Sequence, residues 1–259
     1  MIEYRHIHKS FDRPVLAGVD LTVATGETVA IVGPSGCGKS VLLKTTIGLV
    51  EPDSGDVLID GESVFRAAPA DLRRILGKVG YVFQTAALFD SLDVYENVAM
   101  GIRQEEARSL EGREVRRRVA RALEDVNLDP AEVMGKLPAE LSGGMRKRVG
   151  LARAVVGRPQ IILYDEPVTG LDPVNSATVA RLIAEIGGRM EVTTVMVTHD
   201  VEGALAVCDR VALLYGGRMR FVGTPAEFGR SRDPLVRAFA DREAARAVSL
   251  RNPEPMAAP

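Results

Sequence analysis

The sequence predicts an α/β fold: a mixed sheet with a phosphate-binding loop at one strand end and an α-helical segment inserted between two parts of the sheet. Three observations predict it. The apolar run Thr28-Val29-Ala30-Ile31-Val32 leads into Gly33-Pro34-Ser35-Gly36-Cys37-Gly38-Lys39-Ser40, and Leu42, Leu43, Ile47 and Leu49 follow as an apolar helical pattern. The runs Ile161 to Tyr164, Val192 to Val197 and Val211 to Tyr215 are near-continuous rather than alternating, as in parallel strands buried on both faces. From Thr85 to about Gly157 the period becomes helical, with Val115, Val119, Leu123 and Val126 on one face.

The elements follow in order. Ile2 to His6 and Val19 to Val23 read as short strands joined through the turn-rich Phe11-Asp12-Arg13-Pro14. Glu51 to Gly55 is a turn cluster, and Val57 to Ile59 is a strand ending at Asp60-Gly61. Asp71 to Leu76 reads as a short helix, and Val79 to Phe83 is an apolar strand running into the polar Gln84. In the helical segment Arg116, Arg117, Arg118 and Arg121 lie mostly opposite the apolar stripe. Glu114 stands one turn before Arg117 and Arg118, which favours a solvated, ion-paired face over a nucleic-acid patch. A helix from Ser176 to Ile186 between two parallel strands makes a βαβ unit. Gly216-Gly217 predicts a two-residue hairpin from Val211–Tyr215 to Arg218–Val222. Pro234 to Val248 fits an amphipathic helix, and Arg251 to Pro259, rich in Pro and Ala, reads as a frayed end.

Composition removes several classes. With 259 residues the chain can bury a large core, and a net charge of -2 with pI near 6.0 provides no global basic field for nucleic acid. Its two cysteines, Cys37 and Cys208, match no metal spacing and no disulfide framework, so a reducing compartment fits. No signal-peptide core stands at the N-terminus, and no stretch approaches the roughly 20 apolar residues of a membrane helix. A membrane role is expected to be exercised from outside the bilayer.

The loop from Gly33 to Ser40 fits G-x-x-x-x-G-K-[ST] at every fixed position. Its glycines let successive backbone N–H groups turn toward a polyphosphate, Lys39 adds charge at the β- and γ-phosphates, and Ser40 offers a hydroxyl to Mg²⁺. Ile161 to Tyr164 ends in Asp165-Glu166, where ligands of parallel sheets collect. With a phosphate loop upstream, Asp165 suits the Mg²⁺ shell, through water, and Glu166 is left to orient or deprotonate an attacking water. Ser142 is the natural N-cap of a helix opened by Gly143 and Gly144, a second place where backbone N–H groups meet a positive helix end. Phe11, ahead of the loop strand, is either a base-stacking ring or an ordinary core or edge aromatic.

Together these motifs resemble the ATP-binding cassette (ABC) ATPases, a P-loop NTPase group, over nearly everything from Ile2 to about Phe228. The resemblance implies one ATPase domain over 1–229, with a RecA-like core at 1–84 and 158–229, a helical subdomain at about 85–157, and a C-terminal helix and tail at 230–259. It implies ATP and Mg²⁺ as ligands, with nucleotide contacts from Phe11, the whole loop Gly33 to Ser40 and Val41. Gln84 matches the Q-loop glutamine, a sensor of metal and γ-phosphate; Ser142, Gly143 and Gly144 match the signature; Asp172 in Thr169-Gly170-Leu171-Asp172 matches the D-loop. His199 in Val197-Thr198-His199-Asp200 matches the switch histidine, which with Glu166 and Gln84 serves hydrolysis. Met145 departs from the glutamine that many members carry after the signature glycines.

Leu141 to Arg148, Gly38 to Lys44 and Phe83 to Asp90 are similar to the Mla-type branch, ATPases of phospholipid transport that serve MCE-protein systems. The resemblance then implies a homodimer bridged by ATP, integral membrane permease subunits, an MCE-type lipid-binding partner, no nucleic acid, and residence on the cytoplasmic face of the cell membrane. Ala86, Ala87, Leu88 and Phe89 either dock a partner helix or pack the helical lobe. The alternatives are an ABC importer of amino acids or another solute and a soluble ABC ATPase of cofactor assembly.

Overall fold

The computed structural model describes residues 1–241, and within these the chain forms two compact units. The first comprises Met1–Leu72 together with the chain from Val195 onward, and the second is Arg73–Thr194. The expected helical segment at 85–157 lies inside the second unit.

The first stretch contains β1 (Ile2–Ser10), β2 (Pro14–Val23), β3 (Thr28–Val32), α1 (Lys39–Thr46), β4 (Ser54–Ile59), β5 (Glu62–Ser63) and α2 (Pro69–Leu76), which runs into the second unit. Next come β6 (Val79–Val82), α3 (Val94–Ala99), α4 (Gln104–Ser109), α5 (Gly112–Glu124), α6 (Pro130–Val133), a 3-10 turn (Pro138–Glu140), α7 (Gly143–Val155), β7 (Ile161–Asp165) and α8 (Pro173–Met190). The chain returns through β8 (Thr193–Thr198) to α9 (Val201–Leu205), β9 (Arg210–Tyr215), β10 (Arg218–Gly223), α10 (Pro225–Gly229) and α11 (Pro234–Ala240). The expected helix beyond residue 241 and the tail at 251–259 lie outside the described residues.

In the first unit, strands β2-β1-β4-β5 form an antiparallel sheet, and β10-β9-β3-β8 follow one another in a second sheet. There β3 pairs in parallel with β9, from Val29 opposite Arg210 to Val32 opposite Leu213, while β10 is antiparallel to β9. Gly216 and Gly217 take φ of 58° and 72°, the left-handed pair of a tight hairpin, as the sequence predicts. Tyr4 is buried in this unit with its hydroxyl 2.7 Å from Thr46 Oγ1, and burial pushes its pKa up to about 12.

In the first unit the sequence reading and the structure differ at three places. Pro14 opens β2, where no backbone N–H is required, so the connection shrinks to Phe11–Arg13. Strand β4 begins at Ser54, inside the expected turn, because β1 bulges at His6; at Gly55, φ 94°, a Cβ would stand 2.3 Å from the His6 carbonyl oxygen. Helix α1 stops at Thr46, where Gly48 takes φ 70° and the N–H groups of Leu49 and Val50 return to the Lys44 carbonyl. Leu49 is therefore 61% exposed rather than part of the buried face.

In the second unit β6 and β7 run parallel, Val79 opposite Ile161 through Val82 opposite Tyr164. The long helical pattern breaks into short helices, and Pro130 and Pro138 account for two of the breaks, since each opens a new turn and cannot continue an old one. Val119, Leu123 and Val126 are buried, whereas Arg117 and Arg118 pair with Glu114 and Arg118 also with Glu106. Hydrogen bonds from the two arginines hold the Glu114 carboxyl down to about 2. The basic face is thus the paired surface the i, i+3 and i, i+4 spacing predicts. Helix α8 starts at Pro173, earlier than expected, because the Asp172 carboxylate caps the N–H groups of Val174 and Asn175.

Candidate active site

The first unit carries Phe11, the loop Gly33 to Ser40, Val41 and His199. The loop leaves β3 at Gly33, whose φ of 155° and contacts exclude a side chain: a Cβ there would stand 2.2 Å from the Leu214 carbonyl oxygen of β9. Helix α1 begins after Gly38, φ 105°, and no side chain caps it, in contrast to α3, α7 and α8. Lys39 is 5% exposed, and its Nζ donates to the carbonyls of Gly33 at 2.9 Å and Pro34 at 3.1 Å. A buried ammonium held on the loop's own carbonyls, beside an uncapped helix start, is chemistry suited to a polyphosphate.

Phe11 is 60% exposed on the β1–β2 connection, and Lys9 Nζ stands 5.5 Å from its ring centroid. Asp53 accepts from Lys9 Nζ at 2.9 Å and from the Ser10 N–H at 2.6 Å, which fixes this connection. An exposed flat ring on a fixed base can stack on a nucleobase. His199 follows β8 directly and is exposed. Next to it Asp200 caps α9 through the Gly203 N–H at 3.1 Å.

The second unit carries Gln84, Ser142, Gly143, Gly144, Asp165, Glu166 and Asp172. Ser142 caps α7 as predicted, its Oγ accepting from the Met145 N–H at 3.2 Å. At Gly144 a Cβ would stand 2.5 Å from Asn175 Oδ1, and the Asn175 amide donates to Asp172 Oδ2 at 2.5 Å. One side chain therefore joins the expected signature and D-loop within this unit. Asp165 and Glu166 are 4% and 8% exposed at the end of β7. Glu166 has φ 49°, a left-handed conformation costing a β-carbon residue roughly 1–2 kcal/mol, and accepts from Thr169 Oγ1 at 3.1 Å. Asp165 Oδ2 accepts from the Tyr81 hydroxyl at 3.0 Å.

Gln84 begins a segment held from several sides. Lys147, 9% exposed on α7, donates to its carbonyl, and burial lowers the Lys147 pKa while the Glu166 and Asp165 carboxylates oppose that shift. Arg153 donates to the carbonyls of Ala86 at 2.6 Å and Ala87 at 2.7 Å, and Asn97 bonds Phe89 through both its amide oxygen and nitrogen. Ala86 is buried, so it packs the unit, whereas Phe89 is 50% exposed. Sequence motifs alone did not select Tyr81, Lys147, Arg153 or Asn175. The period of β6 beside β7 was the available signal for Tyr81. Lys147 and Arg153 lie six residues apart on one helix, and nothing local marks their partners.

A loop built for phosphate, with two buried carboxylates at a strand end, defines a nucleotide-hydrolysing P-loop fold. Residues 16–169 match the ABC transporter family model, and the chain belongs to that family. It is 41% identical over 239 residues to the probable ribonucleotide transport ATP-binding protein mkl of Mycobacterium leprae, covering 92% of this chain and 68% of that one. It is 42% identical over 226 residues to the sulfate/thiosulfate import ATP-binding protein CysA of Caulobacter vibrioides, covering 86% and 65%. The chain thus spans about two thirds of these relatives. The dimeric post-hydrolysis structure of the ATP-binding cassette MJ0796, bound to ADP and Pi, superimposes with a TM-score of 0.79 at 30% identity, covering 87% of this chain and 99% of that one. The chain is an ABC transporter ATP-binding subunit that hydrolyses ATP with Mg²⁺.

Proposed function

We propose that two copies of this chain close head to tail on ATP and drive transport of a phospholipid or similar lipid through integral permease subunits and an MCE-type partner. The observation that carries the ATP half is the buried Lys39 on the carbonyls of Gly33 and Pro34, together with the uncapped start of α1. Lys39 and the loop N–H groups from Gly33 to Ser40 bind the phosphates, Val41 continues the loop's helix, and Phe11 stacks on the base. Ser40, Gln84 and Asp165 are the residues that would hold Mg²⁺, which would supply neutralisation of phosphate charge there. Glu166 takes the proton of the attacking water, and His199 steadies the γ-phosphate side. Ser142, Gly143 and Gly144 of the second copy cover the same phosphate, with Asp172 beside them.

The lipid half rests on Leu141 to Arg148, Gly38 to Lys44 and Phe83 to Asp90, which are similar to the Mla-type branch. Phe89 and Met100, 50% and 55% exposed, and a cleft of about 260 Å³ lined in part by Met100, Arg103 and Arg153, support docking of a permease helix on the second unit. Among the described residues no helix is long and apolar enough to cross a membrane, which fits a subunit held at the cytoplasmic face by its permease. The second reading, import of a small solute, is favoured by the comparable identity to CysA, 42% against 41% to mkl.

Purification of the complex in mild detergent, followed by lipid extraction and mass spectrometry, tests the choice. Recovery of a multi-span protein, an MCE-type protein and bound phospholipid supports the lipid reading. Recovery of a permease with a soluble-solute receptor favours the other.

A further inference from the structure

Parallel pairing puts Tyr81 opposite Leu163, and side chains alternate along each strand, so Tyr81 and Asp165 lie on one face of the β6–β7 pair. The Tyr81 hydroxyl donates to Asp165 Oδ2 at 3.0 Å. Its ring leans on Phe83, with centroids 4.4 Å apart and planes inclined by 44°. This packing fixes the phenol, and the phenol in turn fixes one carboxylate oxygen of a residue that is 4% exposed. A carboxylate that serves Mg²⁺ through water contributes by direction as much as by charge, because Mg²⁺ demands near-octahedral geometry and keeps several of its waters.

We propose that Tyr81 is a positioning residue for the metal: its hydroxyl locks the Asp165 carboxylate in the orientation that receives Mg²⁺ with ATP. The proposal rests on the reading of Asp165 as the metal-side carboxylate. Partners of this outer kind typically change metal affinity about 10- to 100-fold when removed. Tyr81→Phe deletes the hydroxyl and keeps the ring on Phe83.

The test uses the full chain, a non-hydrolysable ATP analogue and Mn²⁺ followed by electron paramagnetic resonance. Tyr81→Phe is expected to weaken Mn²⁺ binding about 10-fold, with binding of the analogue in EDTA unchanged. In an Asp165→Asn background the same substitution is expected to have no further effect on Mn²⁺. Wild-type Mn²⁺ affinity in Tyr81→Phe, or an equal further loss in the Asp165→Asn background, overturns the role of Tyr81 and leaves that of Asp165 standing. An Asp165→Asn variant with wild-type Mn²⁺ affinity overturns both.

Discussion

Arg153→Met probes the segment that follows Gln84. Ala86 and Ala87 take φ of 63° and 47°, two successive left-handed residues with β-carbons, at a cost of roughly 1–2 kcal/mol each. Arg153 holds both carbonyls, at 2.6 and 2.7 Å, and a hydrogen bond from a charged donor contributes about 1.5–3 kcal/mol. The two bonds, roughly 3–6 kcal/mol, outweigh the strain of about 2–4 kcal/mol at the middle of each range, so the conformation persists while the guanidinium is present. Removing it forfeits the bonds but releases the strain and rehydrates the carbonyls. The expected loss is about 2 kcal/mol, a Tm lower by about 4–8 °C in a chain of this size. Ala87→Gly is the complementary change at an exposed site. Glycine removes the left-handed penalty and adds unfolded-state entropy, so its stability is expected within about 0.5 kcal/mol of wild type or above it, against a loss near 1 kcal/mol at an ordinary position. Urea unfolding of both variants measures this. A neutral Arg153→Met, or Ala87→Gly destabilised by about 1 kcal/mol or more, refutes the balance of strain and bonds.

Gly33→Ala should abolish ATP binding with little change in far-UV circular dichroism, since its Cβ would meet the Leu214 carbonyl oxygen at 2.2 Å; equilibrium dialysis with labelled ATP reads the loss. Glu166→Gln should retain ATP binding, lose phosphate release and accumulate an ATP-bound dimer in light scattering; release at the wild-type rate would remove Glu166 from catalysis. The Glu114 carboxyl is held at about 2, below its ordinary 4.5, so its pairing with Arg117 and Arg118 is fully present above pH 4.5 and is lost as pH falls through about 2. Glu114→Gln should therefore flatten the acid limb of the stability curve; an unchanged limb would show that the pair contributes nothing.

The motifs assigned to ATP were legible because each couples residue type to fixed spacing in a short stretch. Gly33 to Ser40 and Ser142 to Gly144 declare their chemistry locally, and the structure supplies the steric reason for Gly33. The paired carboxylates were equally visible. What holds them was not: Tyr81 is 84 residues from Asp165, and Arg153 is 67 residues from Ala86. Such partners are set by strand register and helix docking, which one residue's neighbours in sequence do not encode. Leu49 misled for a different, local reason. It continues the apolar helical pattern, yet Gly48 ends the regular turn before it and the side chain turns out to solvent. Asp172 lengthened α8 by a capping bond that the apolar period from Ser176 could not signal.

The central claim is that one copy's phosphate loop is completed by the other copy's signature. Mixing a Lys39→Ala chain with a Ser142→Arg chain tests it most directly. Each is expected to be inactive alone. A mixed head-to-tail dimer joins the intact loop of the Ser142→Arg chain to the intact signature of the Lys39→Ala chain and so regains ATP hydrolysis at that single site. Titrating one inactive chain with the other should therefore restore ATPase activity, whereas a mixture that stays inactive although a mixed dimer is isolated would contradict the account.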